Sequence, residues 1–266
     1  MMNLITISNE KGGEAKTTDT INLGAALART GKSVLLIDAD PQGNLATFLG
    51  LAPAPGMYTL LAAYIPSLAA LMPGEKSDYI ARQVLASGRD HLSILPGNAQ
   101  TAVAQAFMLQ TERDLTLLRR AIVEQFFQYD FVIVDTAPSL GGILELALWA
   151  ADEVIIPIAC ETSGLIGAQQ TVETLKSLTS RGWTGQLAGV IPTFYDERTL
   201  ERRETLLEIQ STFGPLCCTP IHECAAIREL PANQMTIFEK AEAEKNNKYA
   251  LRAAQEFSDL ARRLLK

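Results

Sequence analysis

The sequence predicts an α/β protein with a doubly wound, mostly parallel sheet covered by helices on both faces. Three observations carry this. Short apolar runs alternate with longer stretches of helical periodicity, the runs are nearly continuous in Val, Ile and Leu, and a glycine-bearing loop joins the first run to the first helix. A strand covered on both faces lacks the polar alternation of a half-exposed one, and strands separated by helices pair in parallel.

In chain order, strands are expected at residues 4–8, 33–38, 92–95, 131–135, 154–158 and 187–192, each bounded by polar or turn residues. Helices are expected at 17–30, 115–128 and 163–180, and a more charged helical region at 199–210 and 240–266. Residues 51–76 are rich in Pro, Gly and Ala and read as a surface excursion with short helices. No internal repeat is visible, and 1–266 is expected to form a single domain.

A chain of 266 residues with 47% hydrophobic and 20% charged residues can bury a substantial core and is not of the disordered type. It holds no run of about 18 apolar residues, which argues against a membrane span. It opens directly on a strand, so no secretory leader is expected. Cys160, Cys217, Cys218 and Cys224 form no CxxC pair, and His91 and His222 are the two histidines, so reduced cytoplasmic thiols are expected rather than a structural zinc. A net charge of −7 excludes a uniformly basic surface but leaves room for a local basic patch.

The first loop reads Asn9-Glu10-Lys11-Gly12-Gly13-Glu14-Ala15-Lys16-Thr17-Thr18. A loop in this position cradles phosphate: glycines let backbone N–H groups approach, and the helix start adds its dipole. Lys16 would then reach the β- and γ-phosphates, Thr17 would bind Mg²⁺, and Thr18 would lie near the α-phosphate. The plain alternative is a turn with a chance Lys-Thr-Thr. The 131–135 run ends in Asp135, a Walker B pattern whose carboxylate reaches Mg²⁺ through water. The 33–38 run ends in Asp38, followed by Ala39-Asp40-Pro41-Gln42-Gly43-Asn44. Carboxylates at the C-terminal ends of parallel strands face the ligand crevice, though Asp38 could also cap the next helix.

With these motifs in this order, the chain resembles the deviant Walker ATPases, the group shared by the ParA, MinD and nitrogenase iron-protein families, and most of all the ParA partition family. The resemblance rests on Lys11 ahead of the two glycines, on Asp38–Asn44 as DxDPQGN, and on Asp135-Thr136-Ala137-Pro138-Ser139-Leu140-Gly141 as a near match to DxPPxLG. Thr193-Phe194-Tyr195-Asp196-Glu197-Arg198-Thr199 resembles TxYDxRT. It implies that Lys11 crosses a dimer interface to phosphates held by the other subunit, in the manner of an arginine finger. It further implies that Asp38 positions the attacking water or the Mg²⁺ shell with Asp40 close behind, and that the segments around Phe194 and His222 lie near the adenine. ATP and Mg²⁺ are the implied ligands.

The chain departs from the family pattern at Ala15, which replaces a glycine, and at Glu14, which replaces a small apolar residue. If that backbone needs a positive φ, alanine costs about 1–2 kcal/mol. Glu14 and Asp19 also bring carboxylates toward a polyphosphate. His222, Glu223 and Ala226 stand where the family has a proline and two arginines. No cysteine lies between the switches to hold an iron–sulfur cluster, and the 257–266 tail reads as a core-packed helix more than a membrane-lying one.

The resemblance implies a cytoplasmic, nucleoid-associated homodimer formed on ATP, non-specific DNA binding, and a ParB-like or McdB-like adaptor that stimulates hydrolysis. The cargo would be a plasmid or chromosome, or alternatively a protein cargo such as carboxysomes or chemoreceptor clusters; a MinD-like membrane regulator is the further alternative. Arg198, Arg202, Arg203, Lys245, Lys248 and Arg252 are the DNA candidates. No operator-binding domain is expected ahead of the phosphate loop.

Overall fold

The computed structural model describes residues 2–70, 74–110, 114–138, 142–161 and 163–265. Among them run strands β1 (Asn3–Ile7), β2 (Val34–Asp38), β3 (Leu85–Arg89), β4 (Leu92–Leu95), β5 (Phe131–Asp135), β6 (Glu153–Ala159) and β7 (Gln186–Thr193). The helices are α1 (Lys16–Ala28), α2 (Asn44–Phe48), α3 (Gly56–Ala62), α4 (Pro66–Ala69), α5 (Lys76–Ala81), α6 (Gln100–Gln110), α7 (Leu117–Phe126), α8 (Gly142–Ala150), α9 (Gly164–Ser180), α10 (Leu200–Phe213), α11 (Ala225–Asn233), α12 (Ile237–Ala243) and α13 (Lys248–Leu264).

The strands form one sheet in the order β3-β4-β2-β5-β1-β6-β7, parallel throughout apart from the β3–β4 pair. Alternate strand residues feed two cores. Leu4, Leu35, Ile37, Val132, Val134 and Ile156 pack under the α3, α7, α8 and α9 layer. Ile5, Ile7, Leu36, Ile133 and Ile155 pack under α1 and the C-terminal helices. This two-sided burial is why the strands read as continuous apolar runs. From β1 the chain first winds toward β2 and later toward β6, so the order reverses beside β1, where a crevice opens at the strands' C-terminal ends.

Three expectations need correction. The 51–76 segment is not a surface excursion: Met57, Leu60 and Leu61 are fully buried, because their i, i+3, i+4 spacing gives α3 a core-facing stripe. β3 went unread because it is an antiparallel edge strand with Ser87 and Gly88 at its centre, a composition that carries no strand signal. The 240–266 helix is two helices. Thr236 and Glu239 form a capping box that starts α12, and the Asn247 side chain accepts from the N–H groups of Tyr249 and Ala250 to start α13.

The apolar face of α13 is used within the fold, with Ala250, Phe257 and Leu260 buried against the core that α1 also lines. No helix among the described residues is long and apolar enough to cross a membrane.

Since α3 is core, Leu60→Ala is expected to cost about 2–5 kcal/mol of unfolding free energy in a urea titration. A loss below about 1 kcal/mol would return this segment to the surface.

Candidate functional site

The loop between β1 and α1 is held from several sides. Asn9 Oδ1 accepts from the Lys11 N–H at 2.9 Å, and its Nδ2 donates to the Pro157 carbonyl of β6 at 2.7 Å. Lys16, buried at the start of α1, donates from Nζ to the carbonyls of Asn9 and Lys11, both at 2.9 Å. Burial lowers the Lys16 pKa, with the Asp135 charge opposing that shift. From the other side α9 closes on the loop. Thr171 accepts from the Glu10 N–H, Thr174 donates to Glu10 Oε1, and Gly167 lies so close that a side chain there would collide with Asn9 and Lys11.

Ala15, the residue before α1, has φ 65° and ψ 17°, the left-handed region expected of the glycine it replaces. No side chain caps α1 among the described residues, which leaves its first N–H groups available to an anion.

Glu14 does not sit where the sequence reading put it. Its side chain is fully buried, turned toward β6, where Oε2 accepts from the Ala159 N–H at 2.5 Å. Its other oxygen lies 2.6 Å from the Lys11 ammonium. The carboxylate therefore holds Lys11 within its own subunit instead of confronting a polyphosphate. Asp19 is likewise turned inward, 1% exposed, and burial drives its pKa well up.

β2 and β5 pair with Asp38 directly beside Asp135. Thr17 donates to Asp135 Oδ2 at 2.7 Å and Thr20 to Oδ1 at 3.3 Å. Asp38 accepts from the N–H groups of Asp40 and Leu45, both at 3.1 Å. The second of these is in the first turn of α2, but the N-cap of that helix is Gly43, so Asp38 is not its capping residue. Burial, reinforced by Asp135, pushes the Asp38 carboxyl well up. Burial pushes Asp135 up to about 6 despite the Thr17 hydrogen bond. Adjacent buried carboxylates beside a hydroxyl are an electrostatic deficit that a hard cation removes. Two carboxylates and a hydroxyl are a donor set of the kind that holds Mg²⁺ together with phosphate oxygens.

Phe194, the residue directly after β7, has φ 53°. Its carbonyl accepts from Arg202 at 2.6 Å, and Arg202 also pairs with Glu223. Such a backbone in a non-glycine residue costs free energy and concentrates at functional sites. His222 Nδ1 lies 2.6 Å from Glu256 Oε1, the His222 backbone N–H donates to Oε2, and the imidazole and Tyr195 rings meet in a T-shaped contact. Phe194, His222, Ala15, Thr18 and Asp19 share one cleft. Gly12 and Gly13 are exposed at the loop tip, and Ser139, Leu140 and Gly141 of the second switch lie outside the described residues.

Of the six DNA candidates, Arg202 is mostly buried and occupied by Glu223 and Phe194, so it is withdrawn from a phosphate-contacting role. Arg198 and Arg252 line one cavity with Tyr249, and Lys248 lies over the Tyr249 ring. Arg203 and Lys245 are exposed. The sequence reading missed Asn9, Thr20 and Glu256. Asn9 was the findable one, a polar residue directly after an apolar strand and ahead of the glycines.

A doubly wound parallel sheet with a glycine loop between its first strand and helix, and aspartates ending two neighbouring strands, defines the P-loop nucleoside triphosphatases. Residues 2–187 match the AAA domain family. The chain is 35% identical over 209 residues to the chromosome-partitioning ATPase Soj of Treponema pallidum, covering 77% of each. It belongs to the Soj/ParA family of partition ATPases. The structure of apo McdA from Cyanothece superposes with a TM-score of 0.83 at 23% identity, covering 99% of this chain and 100% of that one, a likeness of fold. Cobyrinic acid a,c-diamide synthase from Mycobacterium smegmatis, with an ATP analogue and magnesium bound, matches with a TM-score of 0.77 at 30% identity over 100% of this chain and 96% of that one.

Replacing Ala15 with glycine relieves about 1–2 kcal/mol of left-handed strain and loses about 0.4–1 kcal/mol through unfolded-chain entropy. Ala15→Gly is therefore expected to stabilise the chain by roughly 0.5–1 kcal/mol in chemical denaturation; a destabilised variant would show that the loop does not hold this conformation in solution.

Proposed function

We propose that residues 1–266 act as one ATPase unit that closes into a homodimer around ATP, binds DNA without sequence preference, and partitions a plasmid or chromosome with a ParB-type adaptor that stimulates hydrolysis. The observation that carries this reading is the convergence of Lys16, Thr17, Asp38 and Asp135 on one end of the sheet, with Lys11 at the rim of the same loop.

The uncapped start of α1 and the loop N–H groups hold the phosphates. Lys16 exchanges its two loop carbonyls for β- and γ-phosphate oxygens, and Thr18 lies toward the α-phosphate. Thr17 and Asp135, with Asp38 beside them, would hold Mg²⁺, which when bound neutralises the charge of the phosphates. Asp38 orients the attacking water, with Asp40 behind it. Phe194 and His222 flank the base.

Lys11 must leave Glu14 to reach the other subunit's phosphates, and a triphosphate is the stronger anion to draw it. Arg198, Lys248 and Arg252 around Tyr249, with Arg203 and Lys245, offer phosphate contacts that two subunits would double. The identity of this chain to chromosome-partitioning relatives supports a DNA-borne cargo. An adaptor of the McdB type and a protein cargo would instead be indicated if ATP-dependent DNA retention persisted but no ParB-type protein accelerated turnover.

Light scattering with ATP and Mg²⁺ tests the dimer. Asp38→Ala is expected to bind ATP, to hydrolyse it at least tenfold more slowly and to stay dimeric. Lys11→Ala is expected to bind ATP as a monomer. An Asp38→Ala chain that binds no nucleotide, or a Lys11→Ala chain that dimerises normally, contradicts these roles.

The raised Asp135 pKa gives a pH signature. An acid whose folded pKa lies above its unfolded value opposes folding when ionised, so this group lowers the stability of the nucleotide-free chain as pH rises from about 4 through about 6. Cation binding needs the ionised form. The Mg²⁺-dependent part of ATP affinity should accordingly weaken as pH falls below about 6, while affinity in excess chelator changes little. Calorimetric titration between pH 5 and 8 checks this, and a flat Mg²⁺ dependence would contradict it.

A further inference from the structure

Lys11 and Glu14 are brought together by the two glycines between them. Gly13 takes φ 82°, so the chain reverses within one turn and two side chains three residues apart meet. The meeting is lopsided: the Glu14 side chain is fully buried, while that of Lys11 is 30% exposed. Glu14 is anchored from within, where Oε2 accepts from the Ala159 N–H. Its other oxygen takes no hydrogen bond of ordinary geometry, and the Lys11 ammonium 2.6 Å away answers it by charge.

No other ion pair of either residue occurs among the described residues. Lys16 lies within electrostatic reach of Glu14, but its ammonium is directed at the carbonyls of Asn9 and Lys11, so Lys11 has no ready substitute. Breaking an exposed ion pair costs little. Taking the cation from a buried carboxylate costs much more, because the charge left behind is poorly hydrated. The acid is also a choice of this chain, since the family it resembles carries a small apolar residue at position 14.

We propose that the Glu14 carboxylate is an autoinhibitory latch, which retains Lys11 inside its own subunit and so raises the protein concentration at which the ATP-bound dimer closes. This rests on the cross-subunit reading of Lys11 and adds to it the residue that opposes closure. A two-fold dimer needs the lysine of each subunit, so the opposition enters twice. A chain with a small apolar side chain at position 14 lacks this requirement and closes more readily.

The test is light scattering of the full chain over a range of concentrations, with Mg²⁺ and a non-hydrolysable ATP analogue. Glu14→Gln keeps an oxygen for the Ala159 N–H and removes the charge; Glu14→Val is the second variant and should move the same way. The dimer dissociation constant of Glu14→Gln should fall by at least tenfold and toward about 100-fold, since a hydrogen bond to a charged group is worth about tenfold and two are broken per dimer. In the Lys11→Ala background Glu14→Gln should restore no dimer, because the latch then has nothing to hold. Without nucleotide, Lys11→Ala should melt a few degrees lower, having left a buried charge unpaired, and adding Glu14→Gln should recover most of that loss.

A Glu14 that only shapes the loop would give weaker dimers when replaced. Unchanged or weaker dimers of Glu14→Gln, dimers returning in the double variant, or a melting temperature that does not recover would each overturn the latch. A Lys11→Ala chain that dimerises as the unaltered one does overturns instead the cross-subunit reading on which the latch rests.

Discussion

Asp38 and Asp135 end two neighbouring parallel strands in register, so the fold forces two buried carboxylates side by side. Everything around them answers that constraint. Thr17 and Thr20 turn their hydroxyls to Asp135, the amides of Asp40 and Leu45 serve Asp38, and the Lys16 ammonium lies near enough for its charge to be felt. These contacts are insufficient, since both carboxyls remain shifted upward by burial. A site left short of positive charge by its own backbone register is one that a cation and its phosphates complete.

Lys16 shows the same economy. With no phosphate present its ammonium bridges the carbonyls of Asn9 and Lys11, which keeps the loop wrapped around the place a phosphate would take. The loop is thus preorganised, with its lysine held at the centre of the backbone that surrounds it. Lys11 is different. Its ammonium is engaged by Glu14, a residue buried on the β6 side, so freeing it means leaving a carboxylate behind in a poorly solvated place. The two lysines of one loop are thus held differently, one by backbone carbonyls and one by a buried carboxylate.

The sheet and the loop were legible because they depend on local patterns. Continuous Val, Ile and Leu runs reveal two-sided burial, and the Lys-Thr-Thr that opens α1 after two glycines reveals the loop. What escaped notice depends on partners far away in the chain. Whether Glu14 faces phosphate or Ala159, whether Arg202 is free or bound to Glu223, and whether Leu60 is core are settled by pairings that no window of sequence contains. β3 was missed because an edge strand is specified by its neighbour β4 more than by its own residues. Ala15 lies between these cases: the sequence marked it as the wrong residue for a left-handed turn, and the backbone adopts that turn regardless.

The grip of α9 on the phosphate loop has a mechanical consequence. Gly167, Thr171 and Thr174 clasp residues 9–11 along one side of the helix, and α9 continues as a rigid rod of 17 residues, about 25 Å from end to end at the usual rise. Gly167 leaves no space between helix and loop, so a displacement of residues 9–11 is passed directly to a stiff rod. Loop and helix thereby form one mechanical unit, joined over the span from Gly167 to Thr174.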